Sequence, residues 1–283
     1  MNAKKYGVLI IGVVLLSLVL WTIWGNTALQ LNEYIVSSDK LPVEFEGYRI
    51  AQISDLHNAE FGEGNSKLLE LLKKAEPDVI VMTGDLIDSR NTKIQVAIDF
   101  AKEAVKIAPC YYVTGNHEGR IAEHEELITG LEEAQVHVLT NEVSYVERDG
   151  AKLAILGVND PSFQTDYLFG DDESVVKGQL DTLMREVETY AILLSHRPEL
   201  FDIYVESGMN LVFSGHAHGG QFRIPFLGGL VAPNQGLFPK YDGGIYSLEN
   251  TTMVVSRGIG NSILPIRFNN RPEVILIELS NIG

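Results

Sequence analysis

Leu211-Val212-Phe213-Ser214-Gly215-His216-Ala217-His218-Gly219-Gly220 is an apolar run that breaks into two histidines, one residue apart and bounded by glycines. A short apolar run of this kind reads as a buried strand, so the histidines fall in the loop leaving its C-terminal end. In open α/β sheets that end is where ligands bind. Glycine on both sides lets the backbone bend tightly and lets another group approach closely. Each imidazole offers a nitrogen to a metal. Taken alone, the pair reads equally well as two polar loop side chains, and the rest of the chain decides.

The same punctuation recurs upstream. Tyr48 to Ser54 alternates like a strand and ends at Asp55-Leu56-His57. Asp78 to Met82 is short and β-branched, and ends at Thr83-Gly84-Asp85. Tyr111 to Val113 ends at Gly115-Asn116-His117-Glu118, and Ala191 to Leu194 ends at Ser195-His196-Arg197-Pro198. Helical stretches lie between: Ser66 to Ala75, Thr92 to Ala108 (stopped by Pro109) and the acidic Ile121 to Ala134. This is a β-α-β rhythm with chemistry at one edge.

Residues 136–139, 143–147 and 152–158 then read as three short strands, with Asp149-Gly150 as a hairpin turn. A loop over 159–172, a helix over 173–188, and closing strands at 245–248, 253–256 and 274–279 complete the pattern. The glycine- and proline-rich loop over 221–244 is longer than a compact domain normally carries without a purpose.

Length and composition bound the function. The 283 residues, 45% of them apolar, suffice for one sizeable core. A formal charge of −16 makes nucleic acid an unlikely partner, because phosphates are usually met by Lys and Arg. The single cysteine, Cys110, rules out an intramolecular disulfide and reads as a core residue.

Tyr6 to Trp24 contains 19 residues without a charge, long enough for a membrane-spanning helix. Lys4 and Lys5 precede it and no Lys or Arg follows until Lys40, which places the N-terminus in the cytoplasm and the rest outside. A cleaved signal peptide is the rival, but its apolar region is usually shorter and Gly25-Asn26-Thr27-Ala28 is a weak cleavage site. The expected organisation is an anchor over 1–25, a linker or edge segment over 26–47, and a catalytic domain over 48–283.

The strand ends together collect Asp55, His57, Asp85, Asn116, His117, His196, His216 and His218, including five of the seven histidines. Imidazoles with carboxylates and an amide suit transition metals better than Mg²⁺ or Ca²⁺. Four imidazoles, two carboxylates and one amide make seven ligands, too many for one tetrahedral ion, so a two-metal site is the natural reading.

The series D-x-H, G-D, G-N-H-[D/E], H and G-H-x-H, present in order from Asp55 to His218, resembles the calcineurin-like metallophosphoesterase superfamily. The loop after Gly219 and the segments around Ser256 to Gly260 and Arg271-Pro272 look like its membrane-associated bacterial branch. That branch includes cell-envelope phosphoesterases and relatives of UDP-diacylglucosamine pyrophosphatases.

The resemblance covers roughly residues 45–280. It implies an α/β fold: a four-layer α-β-β-α sandwich of mixed sheets, with the metal site at the strand C-terminal ends. It implies that Asp55, His57, Asp85 and His218 bind one divalent ion (Mn, Zn or Fe). Asp85, Asn116, His196 and His216 bind the other. It also implies phosphoester or pyrophosphate hydrolysis by a hydroxide between the ions, on a phosphorylated small molecule or a lipid-linked substrate. His117 is the expected catalytic residue, facing the phosphoryl and leaving groups. Two divalent ions against two carboxylates and a hydroxide leave the site at about +1, attractive to phosphate in an acidic protein.

Glu118 is expected to orient His117 or a ligand histidine. Asp88 reads as a cap or turn residue, Asn58 as a turn residue, and His124 and His137 as structural. Arg197, Arg223, Lys240 and Arg271 read as solvated loop charges, with phosphate neutralisation as the alternative. The apolar Phe222, Ile224, Phe226, Leu227, Leu230, Val231, Leu237 and Phe238 read either as a loop packed on the domain or as a lip for a lipid-bearing substrate. A scaffold that holds metal without catalysis, and a nuclease, are the competing functions.

Overall fold

A computed structural model describes residues 3–163, 172–261 and 264–283. Most of the loop expected over 159–172 therefore lies outside the described residues. Two six-stranded sheets form the centre. The first has the order β1 (Gln30–Ser38), β16 (Glu273–Asn281), β2 (Arg49–Ile53), β3 (Val79–Thr83), β4 (Cys110–Val113) and β5 (His137–Val138). The second has the order β14 (Gly244–Leu248), β15 (Thr251–Val255), β9 (Leu211–Ser214), β8 (Tyr190–Leu194), β7 (Ala151–Gly157) and β6 (Glu142–Arg148). Both sheets are mixed: β2 to β5 and β7 to β9 run parallel, while β16 opposes β2, and β6 opposes β7.

The layers follow from the two-residue period of strands. Ile50, Val79, Val81 and Tyr111 of the first sheet pack with Ile155, Ile192, Leu211 and Phe213 of the second. The alternate residues Ala51, Ile80, Met82 and Tyr112 face helices α2 (Ser66–Ala75), α3 (Ile94–Ala104) and α4 (His124–Glu133), through Leu68, Leu72, Phe100 and Leu127. Leu156, Leu193 and Val212 likewise meet α5 (Asp172–Leu183) and α6 (Phe201–Glu206) through Leu180 and Tyr204. Three buried seams thus separate four layers, α-β-β-α. Each fully buried leucine in them contributes on the order of 2 kcal/mol. β3 is buried along its whole length, as an interior parallel strand requires, whereas β6 alternates as an edge strand does.

Two details differ from the sequence reading, and a third falls on one of its two alternatives. α3 is shorter than 92–108, because its last turn loosens into turns before Pro109. The three short strands after α4 divide between the sheets: β5 joins β4, and the chain then crosses to begin the second sheet with β6 and β7. The segment over 26–47 carries β1, the edge strand of the first sheet, paired in parallel with β16.

Helix α1 (Ala3–Thr27) precedes β1. Its Tyr6–Thr27 part has a mean hydropathy of 2.5 and none of its most apolar window is buried. A helix apolar all round and uncovered by protein is a candidate membrane span. The long loop folds into two small antiparallel ribbons, β10 (Arg223–Ile224) with β11 (Gly228–Gly229), and β12 (Val231–Ala232) with β13 (Gly236–Leu237).

Candidate metal centre

Five strand ends converge. β2 delivers Asp55 and His57, β3 delivers Asp85, β4 delivers Asn116 and His117, β8 delivers His196, and β9 delivers His216 and His218. All eight side chains are buried. Asp55, His57, Asp85 and His218 form one group of converging donor atoms, and Asp85, His196 and His216 form a second. Asp85 belongs to both.

In the first group His57 Nε2 and His218 Nε2 lie 3.1 Å apart, with His218 Nε2 3.3 Å from Asp55 Oδ1 and His57 Nε2 3.6 Å from Asp85 Oδ2. In the second, His196 Nε2 and His216 Nδ1 lie 3.1 Å apart, and His196 Nε2 is 3.2 Å from Asp85 Oδ2. The buried Oδ1 of Asn116 has no hydrogen-bond partner among the described residues. Opposed imidazole nitrogens beside carboxylates, with an orphaned amide oxygen, are the donor set a divalent transition ion takes. The residues fit two such ions.

The backbone is shaped for this convergence. Asp55, His57, Asp85, His216 and His218 all have φ between 45° and 66°, a left-handed conformation uncommon for residues with a Cβ. Each costs on the order of 1 kcal/mol, and such outliers cluster at functional sites. The glycines beside them are dictated by crowding. A Cβ on Gly215 would lie 1.9 Å from Ser54 Oγ, and one on Gly115 would lie 2.3 Å from Asp85 Oδ1.

A family profile described as calcineurin-like phosphoesterase matches residues 48–220. The chain belongs to the calcineurin-like phosphoesterase family. It is 29% identical over 263 residues to the metallophosphoesterase YkuE of Bacillus subtilis (strain 168), covering 89% of this chain and 86% of YkuE. It is 24% identical over 238 residues to the phosphodiesterase YaeI of Escherichia coli (strain K12), covering 82% of each. Among solved structures, the Thermus thermophilus protein TT1561 superposes with a TM-score of 0.54 at 14% identity, over 75% of this chain and 90% of that one, a likeness of fold. The family and the two residue groups together support a dinuclear divalent metal site and phosphoester hydrolysis.

Hydrogen bonds around the centre of this phosphoesterase fix which atoms face inward. His196 Nδ1 donates to the Thr83 carbonyl at 2.7 Å, which turns Nε2 toward Asp85 and makes it the nitrogen that would take an ion. Ser54 Oγ donates to Asp55 Oδ2 at 2.6 Å, and the His216 N–H donates to the same carboxylate. The His117 N–H donates to Asp85 Oδ1 at 2.8 Å, so Oδ2 is the oxygen facing the histidines. The Ser89 N–H donates to His117 Nδ1 at 3.0 Å. The proton of neutral His117 therefore sits on Nε2, which is 4.0 Å from Asp85 Oδ2.

Electrostatics follow burial. Burial pushes His57 down to about 4 and holds His216 and His218 well below the usual range, so these imidazoles keep their lone pairs at neutral pH. Burial raises Asp55 to about 6, against the pull of His196. Burial also works against the Asp85 anion, but His196 beside it keeps its carboxyl well below the ordinary range.

Several surrounding residues depart from the sequence reading. The Glu118 carboxylate bonds to backbone rather than to the ring of His117 or of a ligand histidine. It accepts the backbone N–H groups of Asp85, Leu86 and Gly115 at 3.0, 2.8 and 2.8 Å, joining the β3 and β4 loops. Arg197 is no solvated charge. It is buried and doubly bonded to Asp160, at 2.5 and 2.8 Å. Arg223 pairs with Asp242, and Arg271 donates to the carbonyls of Ala28 and Leu29. Lys240 lies over the Tyr241 ring. These four basic side chains thus have partners in the fold.

Asp88 pairs with Arg90 and caps its own turn, although its carboxylate also lies 3.6 Å from His117 Nδ1. Asn58 adopts a left-handed turn conformation, with φ of 58°. Sequence reading missed Ser54, Thr83, Ser89 and Asp160, common residue types whose roles depend on partners brought in from other loops.

Proposed function

We propose that this protein is a membrane-anchored dinuclear-metal phosphohydrolase whose catalytic domain lies outside the cytoplasm and cleaves a phosphoester or pyrophosphate bond in a lipid-linked or cell-envelope substrate. The convergence of two donor groups on the shared Asp85 carries the reading. Asp55, His57, Asp85 and His218 would hold one ion; Asp85, Asn116, His196 and His216 would hold the other. Two such ions, when bound, supply Lewis acidity and lower the pKa of water to about 7.

The chain's own residues do the rest. Asp85 is shared by the two groups and would contribute a carboxylate to both ions. The Thr83 carbonyl orients His196, and Ser54 orients Asp55. His117 donates from Nε2 to a phosphoryl oxygen, where negative charge grows in the transition state. Protonating His117 at Nδ1 would displace the Ser89 N–H, so the donor is the neutral ring.

The charge bias of Lys4 and Lys5 supports the placement of the domain outside the cytoplasm. The name of YaeI, a phosphodiesterase, supports a diester substrate. The test is hydrolysis of bis-p-nitrophenyl phosphate by the full chain reconstituted with Mn²⁺, Zn²⁺ or Fe²⁺. Turnover in at least one metal form, abolished by Asp85→Asn, is expected. Two bound ions per chain with no hydrolysis of aryl diesters, aryl monoesters or pyrophosphates would favour a non-catalytic scaffold instead.

A further inference from the structure

The anchor helix and the metal centre meet at one edge of the domain. β1 begins at Gln30, opposite Glu273 at the start of β16. β16 runs antiparallel to β2, and Ile275 pairs with Gln52, close to the end of β2 that delivers Asp55 and His57. Only Ala28 and Leu29 separate α1 from β1. So short a link spans at most about 10 Å. A bilayer crossed by α1 therefore lies against the metal-bearing edge of the domain.

The joint is also tied. Asn26 Nδ2 donates to the Arg267 carbonyl at 3.0 Å, and the Arg267 N–H donates to Asn26 Oδ1 at 2.8 Å. The Arg271 guanidinium stacks over Trp24 at 4.5 Å.

Apolar side chains are exposed around this joint. Phe226 is fully exposed, at 107%, and Leu227, Leu264 and Ile266 are 66%, 45% and 47% exposed. They come from the β10–β11 turn and from the segment at 264–268. The base of this ribbon is joined to the segment: Gln221 Nε2, two residues before β10, donates to the carbonyls of Leu264 and Ile266 at 2.8 and 2.7 Å, and the Arg223 N–H donates to the Phe268 carbonyl at 3.0 Å. Three residues on from Arg267, Asn270 Nδ2 donates to the His218 carbonyl at 2.7 Å. One short segment thus touches the anchor, the apolar rim and the turn that carries a candidate ligand. Clustered exposed apolar groups mark interaction surfaces, and their continuity with α1 identifies the occupant as the bilayer. The net charge of −16 argues for apolar seating rather than electrostatic docking on anionic lipid.

We propose that the rim formed by Phe226, Leu227, Leu264 and Ile266 sits in the interfacial layer of the membrane crossed by α1, so that the metal centre opens at headgroup level. The substrate is then an amphiphile resident in that leaflet, with its phosphoester or pyrophosphate at the water boundary. This inference rests on α1 spanning the membrane and on the phosphohydrolase reading above.

The test uses full-length protein in phosphatidylcholine vesicles, with and without bromine at acyl carbons 6 and 7. Phe226→Cys or, as a duplicate, Leu227→Cys carries an environment-sensitive fluorophore; the native Cys110 is buried and stays unlabelled. Asp149→Cys, exposed in the β6–β7 turn at the opposite end of the second sheet, is the control. Brominated lipid is expected to quench most of the emission at 226 and 227 and none at 149. Unquenched emission at 226 and 227 overturns the proposal, as does equal quenching at all three positions or failure of the protein to float with the vesicles. Hydrolysis of bis-p-nitrophenyl phosphate by the same metal-loaded samples is read separately. Its absence, together with no hydrolysis of p-nitrophenyl phosphate or pyrophosphate, overturns the phosphohydrolase reading, while quenching alone decides the membrane contact.

Discussion

The carboxylate of Glu118 accepts the backbone N–H of Asp85 at 3.0 Å, so the bridging aspartate is held by a residue from the neighbouring strand's loop. Glu118 also takes the N–H groups of Leu86 and Gly115. Glu118→Ala should remove the acceptor of four buried N–H groups, that of Ile87 at 3.4 Å among them, and destabilise the fold by about 2–4 kcal/mol. Metal affinity should fall roughly 10–100-fold. Urea unfolding and metal titration check both. Near-native metal affinity in a folded Glu118→Ala protein would show that Asp85 needs no such support.

Because Asp85 is shared, its loss should differ in kind from the loss of an outer ligand. Asp85→Asn should bind neither ion tightly. His218→Ala and His196→Ala should each weaken one ion, and retain close to one per chain. Elemental analysis against protein concentration distinguishes these cases. Full occupancy in His196→Ala would remove it from the ligand set.

The His117 ring stands 4.0 Å from the shared carboxylate, which its backbone N–H alone bonds, and is fixed by Ser89. His117→Ala should therefore keep both ions while turnover of an aryl diester falls about 10²–10³-fold. Unchanged turnover would remove it from the reaction.

The Asp160–Arg197 pair sets an acid limit on stability. Burial works against the Asp160 anion, but Arg197 holds its carboxyl below the ordinary range. The folded value is thus lower than the unfolded value of about 3.9. The contribution is complete above about pH 4 and is lost as pH falls through the folded value. Asp160→Asn should cost about 3 kcal/mol at pH 7, at the low end for a broken buried pair because Glu199 and Asp172 also lie 3.6 Å from Arg197. The gap between wild type and variant should narrow below pH 4 in urea unfolding. A gap independent of pH would show that the pair contributes through shape alone.

The candidate ligands are legible in the sequence because each sits directly after a strand, where loop residues are free to be Asp, His or Asn. The parallel strands are legible because burial on both faces makes them apolar, as in β3. β1 is not distinguishable from a linker: its polar, alternating sequence becomes a strand only through pairing with β16 at the far end of the chain. Glu118 is legible as a residue beside the centre, but its target depends on how the β3 loop curls. The buried state of Arg197 depends on Asp160, which a different strand supplies. In each case a short-range pattern names the residue and a long-range contact sets its partner.

β16 lies between β1 and β2, both of which are synthesised long before it. The first sheet therefore cannot close before β16 is made. It must keep a gap open until the C-terminal strand emerges and inserts between two neighbours already made, a non-local step of the kind that slows folding. All seven candidate ligands precede Glu273, so a chain cut short after His218 carries every one of them and lacks the strand that completes the sheet. Completion of the first sheet beside these ligands is thereby tied to synthesis of β16.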